Sequence, residues 1–376
     1  MKITVGIGVL GCGTVGASVA DRLARSRDAI ERASGVRYEL RAVAVGDLSK
    51  RRPDSLERAL FTRDARAVVD DPQVDVVVEL IGGTGVAAEL VERALDRGRH
   101  VVTANKDLLA TQRPRLEALG ASRGAALRFE AAVAGAVPVV RTIGDALAGD
   151  EIQAVAGVLN GTSTAILSWM EQGAGFEEAL ARAQEMGYAE ADPAADVEGG
   201  DAAHKLALVA QLAFGLAVIS PRIRRTGITG VTQRDVARAR MLGLGIRLVA
   251  ATRRAGGAIA AEVAPLLVPR DHEFARANGA DNAVQIQARD AGRLTLLGPG
   301  AGGAATASAV LGDVVEMLRA VAARSDLARR GRGGYLEPVI EVATLFGSLT
   351  RIPELPQYPL WEDGVTTCRQ RALANA

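Results

Sequence analysis

The feature that most constrains this chain is its opening. Residues 3–25 read ITVGIGVLGCGTVGASVADRLAR, an apolar run, a glycine cluster and an amphipathic stretch in direct succession. Two G-x-G-x-x-G registers overlap there, Gly6-Gly8-Gly11 and Gly11-Gly13-Gly16. The fingerprint needs a strand before it and a helix after it. Only the second register leaves room for both, with Ile3 to Leu10 as strand and Ala17 to Arg25 as helix. In that register Gly11 permits the tight turn, Gly13 lets the backbone approach a pyrophosphate, and Gly16 lets the helix sit close to the strand. With Thr14 and Val15 between them, these glycines form a dinucleotide site whose anion rests on free amides at a helix N-terminus.

The pattern then alternates. YELRAVAV (38–45) is a second strand, VDVVVELIGG (74–83) a third and HVVTANK (100–106) a fourth, with the helical stretch AAELVERALDRG between the last two. Such alternation predicts an α/β fold built on an N-terminal, Rossmann-type, doubly wound parallel sheet. Ligands bind beyond the carboxyl ends of such strands. Gly82, Thr103 and Lys106 sit at those ends and are assigned to the cofactor side of the cleft. The second strand ends at Asp47, an acid placed to bind a ribose hydroxyl of NAD; Lys50, Arg51 and Arg52 follow, a cluster suited to the 2′-phosphate of NADP. NAD and NADP therefore both stay open.

Composition matters at one point. Of 45 basic residues only four are lysines, Lys2, Lys50, Lys106 and Lys205. Arginine essentially never releases its proton, whereas lysine can. In a chain that otherwise uses arginine, Lys106 and Lys205 are candidates for proton chemistry. Lys205 closes the stretch EADPAADVEGGDAAHK, which gathers Glu190, Asp192, Asp196, Glu198 and Asp201. Asp201 and Lys205 are spaced i, i+4, on one helix face that Leu208 and Leu212 continue. Neighbouring carboxylates keep such a lysine protonated. A protonated lysine facing a nicotinamide can give a proton to a carbonyl oxygen, and the remaining acids can receive a substrate ammonium group.

From about residue 134 the pattern shifts to longer helices and strands of mixed register, a second α+β domain for substrate. The predicted division is 1–133 for the nucleotide, 134–297 for substrate, 298–323 for a glycine-rich turn and helix, and 324–376 for a tail without assigned role. The turn LTLLGPGAGG, with Gly302, reads as a lid over the nicotinamide or as the start of a helix packing back on the first domain.

Several classes drop out. The net charge is +1 and aromatics are 3%, so neither nucleic acid nor an anionic membrane is an expected partner. No run of 18 apolar residues predicts a membrane span. The opening lacks a signal-peptide pattern, and Cys12 and Cys368 form no C-x-x-C; a cytoplasmic location is expected. The three histidines and two cysteines have no zinc-ligand spacing. A hydrolase is excluded because no G-x-S-x-G elbow is present.

GCGTVG, ELIGG, TANK, GVLNGTS, GYAEADPAADVEGGDAAHK and GPGAGG followed by TASAV, in this order over roughly residues 1–320, resemble the homoserine dehydrogenase family. The resemblance implies reversible NAD(P)H-dependent reduction of L-aspartate 4-semialdehyde to L-homoserine on the route to threonine and methionine, by a cytoplasmic homodimer. It implies Lys205 as proton donor, Lys106 as a second essential lysine and Asp201 in support. Glu190 is implied to bind the substrate amine, with Asp196 beside it and Gly161 and Thr162 on the substrate side. Gly302 is implied to approach the nicotinamide. It also implies a monovalent cation, Na⁺ or K⁺, held mainly by backbone oxygens at Glu130, Val133, Gly135 and Val137. The chain departs from the family pattern at Ser163, Thr164 and Ala165, and at Gly46, where many members carry arginine. The tail after Leu318 is short and proline-broken, so the C-terminal ACT domain of many members, and threonine feedback through it, are not expected. Two other readings remain: a related amino-acid dehydrogenase with another substrate, and a non-catalytic NAD(P)-binding sensor.

Overall fold

The computed structural model describes residues 4–216, 218, 220–255, 258–329 and 366–367. The tail reading therefore falls largely outside the described residues.

The first half runs β1 (Thr4–Leu10), α1 (Thr14–Arg25), α2 (Arg27–Ser34), β2 (Arg37–Ala44), β3 (Phe61–Thr62), α3 (Ala65–Asp70), β4 (Val76–Glu79), α4 (Val86–Asp96), β5 (His100–Thr103), α5 (Lys106–Ser122) and β6 (Leu127–Arg128). These strands form one parallel sheet in the order β3-β2-β1-β4-β5-β6. Every residue of β4 and β5 is buried. That is the mark of a parallel strand covered by helices on both faces. The order reverses between β1 and β4, which opens a crevice at their carboxyl ends.

The second half runs α6 (Val139–Arg141), β7 (Ile152–Val158), α7 (Gly161–Glu171), α8 (Phe176–Glu185), α9 (Ala194–Val197), α10 (Gly200–Phe214), β8 (Arg224–Arg225), α11 (Gln233–Met241), β9 (Leu244–Ala255), β10 (Ala258–Pro269), α12 (Glu273–Arg276), β11 (Asp281–Ala288) and β12 (Arg293–Pro299). Its sheet follows the order β12-β11-β7-β9-β10, and β13 (Thr366–Thr367) pairs antiparallel with β10. The helices α7 and α10 pack on β7 and β9, and their apolar residues join one core that reaches Leu108, Leu109 and Leu116 of α5. This continuity fixes α5 and α10, the two lysine-bearing helices, against each other.

The glycine-rich turn after β12 leads into α13 (Gly303–Arg329), which packs along α1. Ala307, Val310, Val314 and Leu318 share a core with Val5, Ile7, Val19 and Leu23. Among the described residues no helix is long and apolar enough to cross a membrane.

Candidate active site

The crevice is built from backbone on one side. Gly11 follows β1 in the left-handed region at φ 96°, and a Cβ there would meet the Leu80 carbonyl oxygen at 2.6 Å. A Cβ on Gly16 would lie 2.2 Å from the Gly11 carbonyl oxygen, so α1 starts as close to β1 as a chain can come. Gly13, the N-cap of α1, provides no side-chain cap, and a Cβ on it would meet nothing within 4 Å. The first-turn amides thus face open space with no internal partner, which fits a dinucleotide pyrophosphate. Thr14 and Gly13 are exposed and Val15 partly so, as such a cradle requires.

Beside the cradle stands the acid of the second strand. Asp47 is exposed, and hydrogen bonds from the Ser49 hydroxyl and amide hold its carboxyl below the usual range. Of the basic trio, Arg52 reaches the glycine loop. It donates to the Cys12 carbonyl at 2.8 Å and the Asp47 carbonyl at 2.6 Å. Arg51 instead pairs with Asp54, and Lys50 is exposed to solvent. An acid for a ribose and cations for a phosphate are both within the same turn.

The floor of the crevice is a chain of buried hydrogen bonds. Glu79 is fully buried and accepts from the amides of Ile81 at 2.8 Å and Gly82 at 2.9 Å. Its other oxygen accepts from the Thr103 hydroxyl at 2.5 Å, and that hydroxyl accepts from the Asn105 amide at 3.0 Å. Asn105 caps α5 through Leu108 and donates to the Gly83 carbonyl. Thr103 is 0% exposed and its hydroxyl is spent on Glu79 and Asn105, so its side chain braces the loop holding Gly82. Glu79 and Asn105 were not singled out from the sequence; a glutamate ending an otherwise apolar strand is the signal that could have found the first.

Opposite the floor, charge gathers. Lys106, the first residue of α5, donates to Asp201 Oδ1 at 2.5 Å. Lys205 donates to Asp201 Oδ2 at 2.8 Å and to the Leu159 carbonyl at 2.8 Å. One carboxylate from α10 is thus shared by two ammonium groups, one from each half. Burial would raise the Asp201 carboxyl, but Lys205 and Lys106 outweigh it and hold it well below the carboxylate range. Burial alone would lower Lys106, and Asp201 reverses this so that it rises. Asn160, at the turn after β7, donates to Asp196 Oδ1 at 2.6 Å and Asp201 Oδ2 at 2.9 Å. Burial, with the like charge of Asp201, raises Asp196 against the opposing Asn160 bond.

The five carboxylates of the acidic stretch divide. Asp196 and Asp201 turn inward; Glu190, Asp192 and Glu198 are exposed. Asp192 caps the Ala194 amide, while the Glu190 carboxylate has no hydrogen-bond partner among the described residues. Two of the five thus reach the Lys205 network and three face solvent. An inward turn is stable only where lysine or asparagine donors compensate the lost hydration. Gly161 opens α7 and Thr162 donates to the Tyr188 carbonyl at 2.7 Å, tying α7 to the start of the acidic loop. Ser163, Thr164 and Ala165, where the chain departs from the family pattern, are all buried and so lie inside α7's packing.

The segment 130–137 joins the halves. Glu130 is buried, and burial pushes its carboxyl up to about 7. Its oxygens accept from the Val140 and Arg141 amides at 2.8 and 2.9 Å. Ala134 and Gly135 adopt φ of 55° and 59°, two left-handed residues in succession. Val137 is buried beside them, and the Glu130 and Ala134 carbonyls already accept from Val133 and Val137. A cation here would be held by backbone carbonyls, including those of Val133 and Gly135, since the Glu130 carboxylate is committed to the Val140 and Arg141 amides and that of Asp313 to the Glu130 amide and Arg141. Among the described residues no group of three or more His, Cys, Asp or Glu is placed to hold a metal ion.

Known proteins agree with this arrangement. Residues 11–130 match the model of the homoserine dehydrogenase NAD-binding domain, and 138–315 that of homoserine dehydrogenase. A homoserine dehydrogenase of Corynebacterium glutamicum is 44% identical over 321 residues, 84% of this chain and 72% of its own length. The crystal structure of one from Thiobacillus denitrificans superposes with a TM-score of 0.82 at 40% identity, over 86% of this chain and 75% of that one. A hyperthermophilic archaeal homoserine dehydrogenase mutant in complex with NADPH has a TM-score of 0.69 at 26% identity, covering 84% of this chain and 98% of its own. Fold, glycine cradle and kinship converge, and the chain belongs to the homoserine dehydrogenase family of NAD(P)-dependent oxidoreductases.

Proposed function

We propose that this oxidoreductase interconverts L-aspartate 4-semialdehyde and L-homoserine with Lys205 as the proton donor. The single observation that carries the reading is the carboxylate of Asp201, bonded at once to Lys106 and Lys205. An ammonium has three N–H donors. Two of those on Lys205 are committed, to Asp201 and the Leu159 carbonyl, which leaves one for a substrate oxygen. When bound, the nicotinamide supplies or receives the hydride at the substrate carbon. Lys205 gives its remaining proton to the aldehyde oxygen, which becomes the hydroxyl, and is reprotonated from water; the reverse direction takes the proton back. Lys106 adds positive charge beside the same oxygen and keeps Asp201 from drifting. Glu190 and Asp196, with Gly161 and Thr162 on the wall, receive the substrate's α-ammonium group.

Gly11, Gly13, Thr14, Val15 and Gly16 hold the pyrophosphate, Asp47 and Lys50 the adenosine ribose, and Gly82 and Gly302 the nicotinamide side. The units are residues 1–133 for nucleotide, 134–297 for substrate and dimerisation, and 298–323 for the return. The working form is a cytoplasmic homodimer on the route to threonine and methionine, with a monovalent cation at the 130–137 segment. A spectrophotometric assay of homoserine oxidation, with NAD⁺ and NADP⁺ in parallel, tests the reading. Turnover with either cofactor supports it; tight cofactor binding without turnover of homoserine or any semialdehyde contradicts it.

A further inference from the structure

Asn160 is not among the residues that carry charge, yet it touches both inward carboxylates. It is 4% exposed. Its Oδ1 accepts from the Ser163 amide at 2.8 Å and lies 2.8 Å from the Ser163 hydroxyl. The amide bond is the N-cap of α7, so this oxygen cannot exchange places with the nitrogen without leaving a helix-end donor unpaired. The amide is thereby locked one way round, and its two N–H donors must point at Asp196 and Asp201. The preceding residue, Leu159, provides the carbonyl that takes one Lys205 hydrogen. The same turn therefore fixes the carboxylates and the lysine together.

We propose that Asn160 is a positioning residue for proton transfer: the start of α7 orients its amide, and the amide orients Asp201, which orients Lys205. This rests on the function proposed above. The charged groups facing the amide are Asp196 from α9, Asp201 and Lys205 from α10, and Lys106 from α5 by way of Asp201.

The variant Asn160→Asp separates positioning from capping. Its Oδ1 still caps α7, but the donor edge becomes an acceptor facing two carboxylates. At pH 8 kcat should fall by about 10- to 100-fold, the value of a hydrogen bond to a charged group. Cofactor affinity should stay unchanged. As pH falls towards 6 the new carboxyl, crowded by Asp196 and Asp201, takes up a proton and becomes a donor again. The ratio of variant to wild-type kcat should therefore rise several-fold. A kcat within twofold of wild type, or a ratio that stays flat with pH while Tm drops, would overturn the proposal. A substrate-free arm keeps it separate from the function itself: the Tm deficit of Asn160→Asp should be large at pH 8 and shrink at pH 6. Wild-type protein that never turns over homoserine would sink the function, and the Tm arm would then decide the amide's orientation alone, a pH-independent deficit counting against it.

Discussion

The two walls of the crevice are made of different materials. The nucleotide wall is backbone: open amides at the start of α1 and a turn of glycines whose missing side chains leave the space. The opposite wall is side chain: two lysines, two aspartates and an asparagine in mutual contact. A backbone wall suits a ligand part common to all dinucleotides, because amides recognise an anion without titrating. A side-chain wall suits the reacting end, because only side chains can hold and release a proton. The side-chain wall rests on two helices that start on an asparagine: Asn105 caps α5 just before Lys106, and Asn160 caps α7 beside Asp201.

The difference can be broken first at the lysine. Lys205→Ala should lower kcat by roughly 10²–10⁴-fold, the range of a positioned general acid, with cofactor Kd unchanged by fluorescence titration. Lys205→Arg should be nearly as slow, since arginine keeps the charge but does not release its proton. An active arginine variant would reduce the wall to electrostatics.

Acid should separate the halves next. His100, at the start of β5, is 6% exposed, and its Nδ1 accepts from the Ala126 amide. Burial, with Arg324 and Arg128 nearby, pushes it down from 6.5 to about 4. At His100 the folded chain therefore binds fewer protons than the unfolded chain between those values, and this contribution to stability falls as pH drops through that window, opposed by the raised carboxyl of Glu130. The loss is roughly 3 kcal/mol at full extent. Asp201 is held below the carboxylate range, so its contribution is present above the unfolded carboxylate value and is lost only at lower pH. His100→Asn, which retains an acceptor for Ala126, should lose this contribution, so that its stability by urea denaturation gains on that of wild type as pH falls from 6.5 to 4. An unchanged slope would place the acid-sensitive group elsewhere.

The smallest effect belongs to the backbone wall. Gly13→Ala adds a methyl that meets nothing in the chain, so Tm should not move. Dinucleotide affinity should weaken by about 10-fold or somewhat more, as for one methyl forced into a filled site. Equal affinity would mean the pyrophosphate does not pass over Gly13.

These walls also differ in how far the sequence discloses them. Glycine spacing is a one-dimensional record of backbone geometry, and Gly11, Gly13 and Gly16 sit in the turn that their register predicts. The lysines stood out by scarcity, and both meet on Asp201. Asp201 and Lys205 were legible from i, i+4 spacing, but the pairing of Lys106 with Asp201 spans 95 positions and needs the packing of α5 on α10. Asn160 and Glu79 were illegible as network members, because a hydrogen-bond hub leaves no periodicity. The acidic stretch was legible only as a cluster: charge density along the chain does not tell which carboxylates find buried donors, as Asp196 and Asp201 do, and which face solvent, as Glu190 does.

The most direct measurement is a crystal structure of the wild-type protein with homoserine and an oxidised dinucleotide. The account predicts the substrate hydroxyl oxygen within hydrogen-bond distance of Lys205 Nζ, with Asp201 still bridging Lys205 and Lys106. Homoserine bound with that oxygen remote from Lys205, or held by another titratable group, would contradict it.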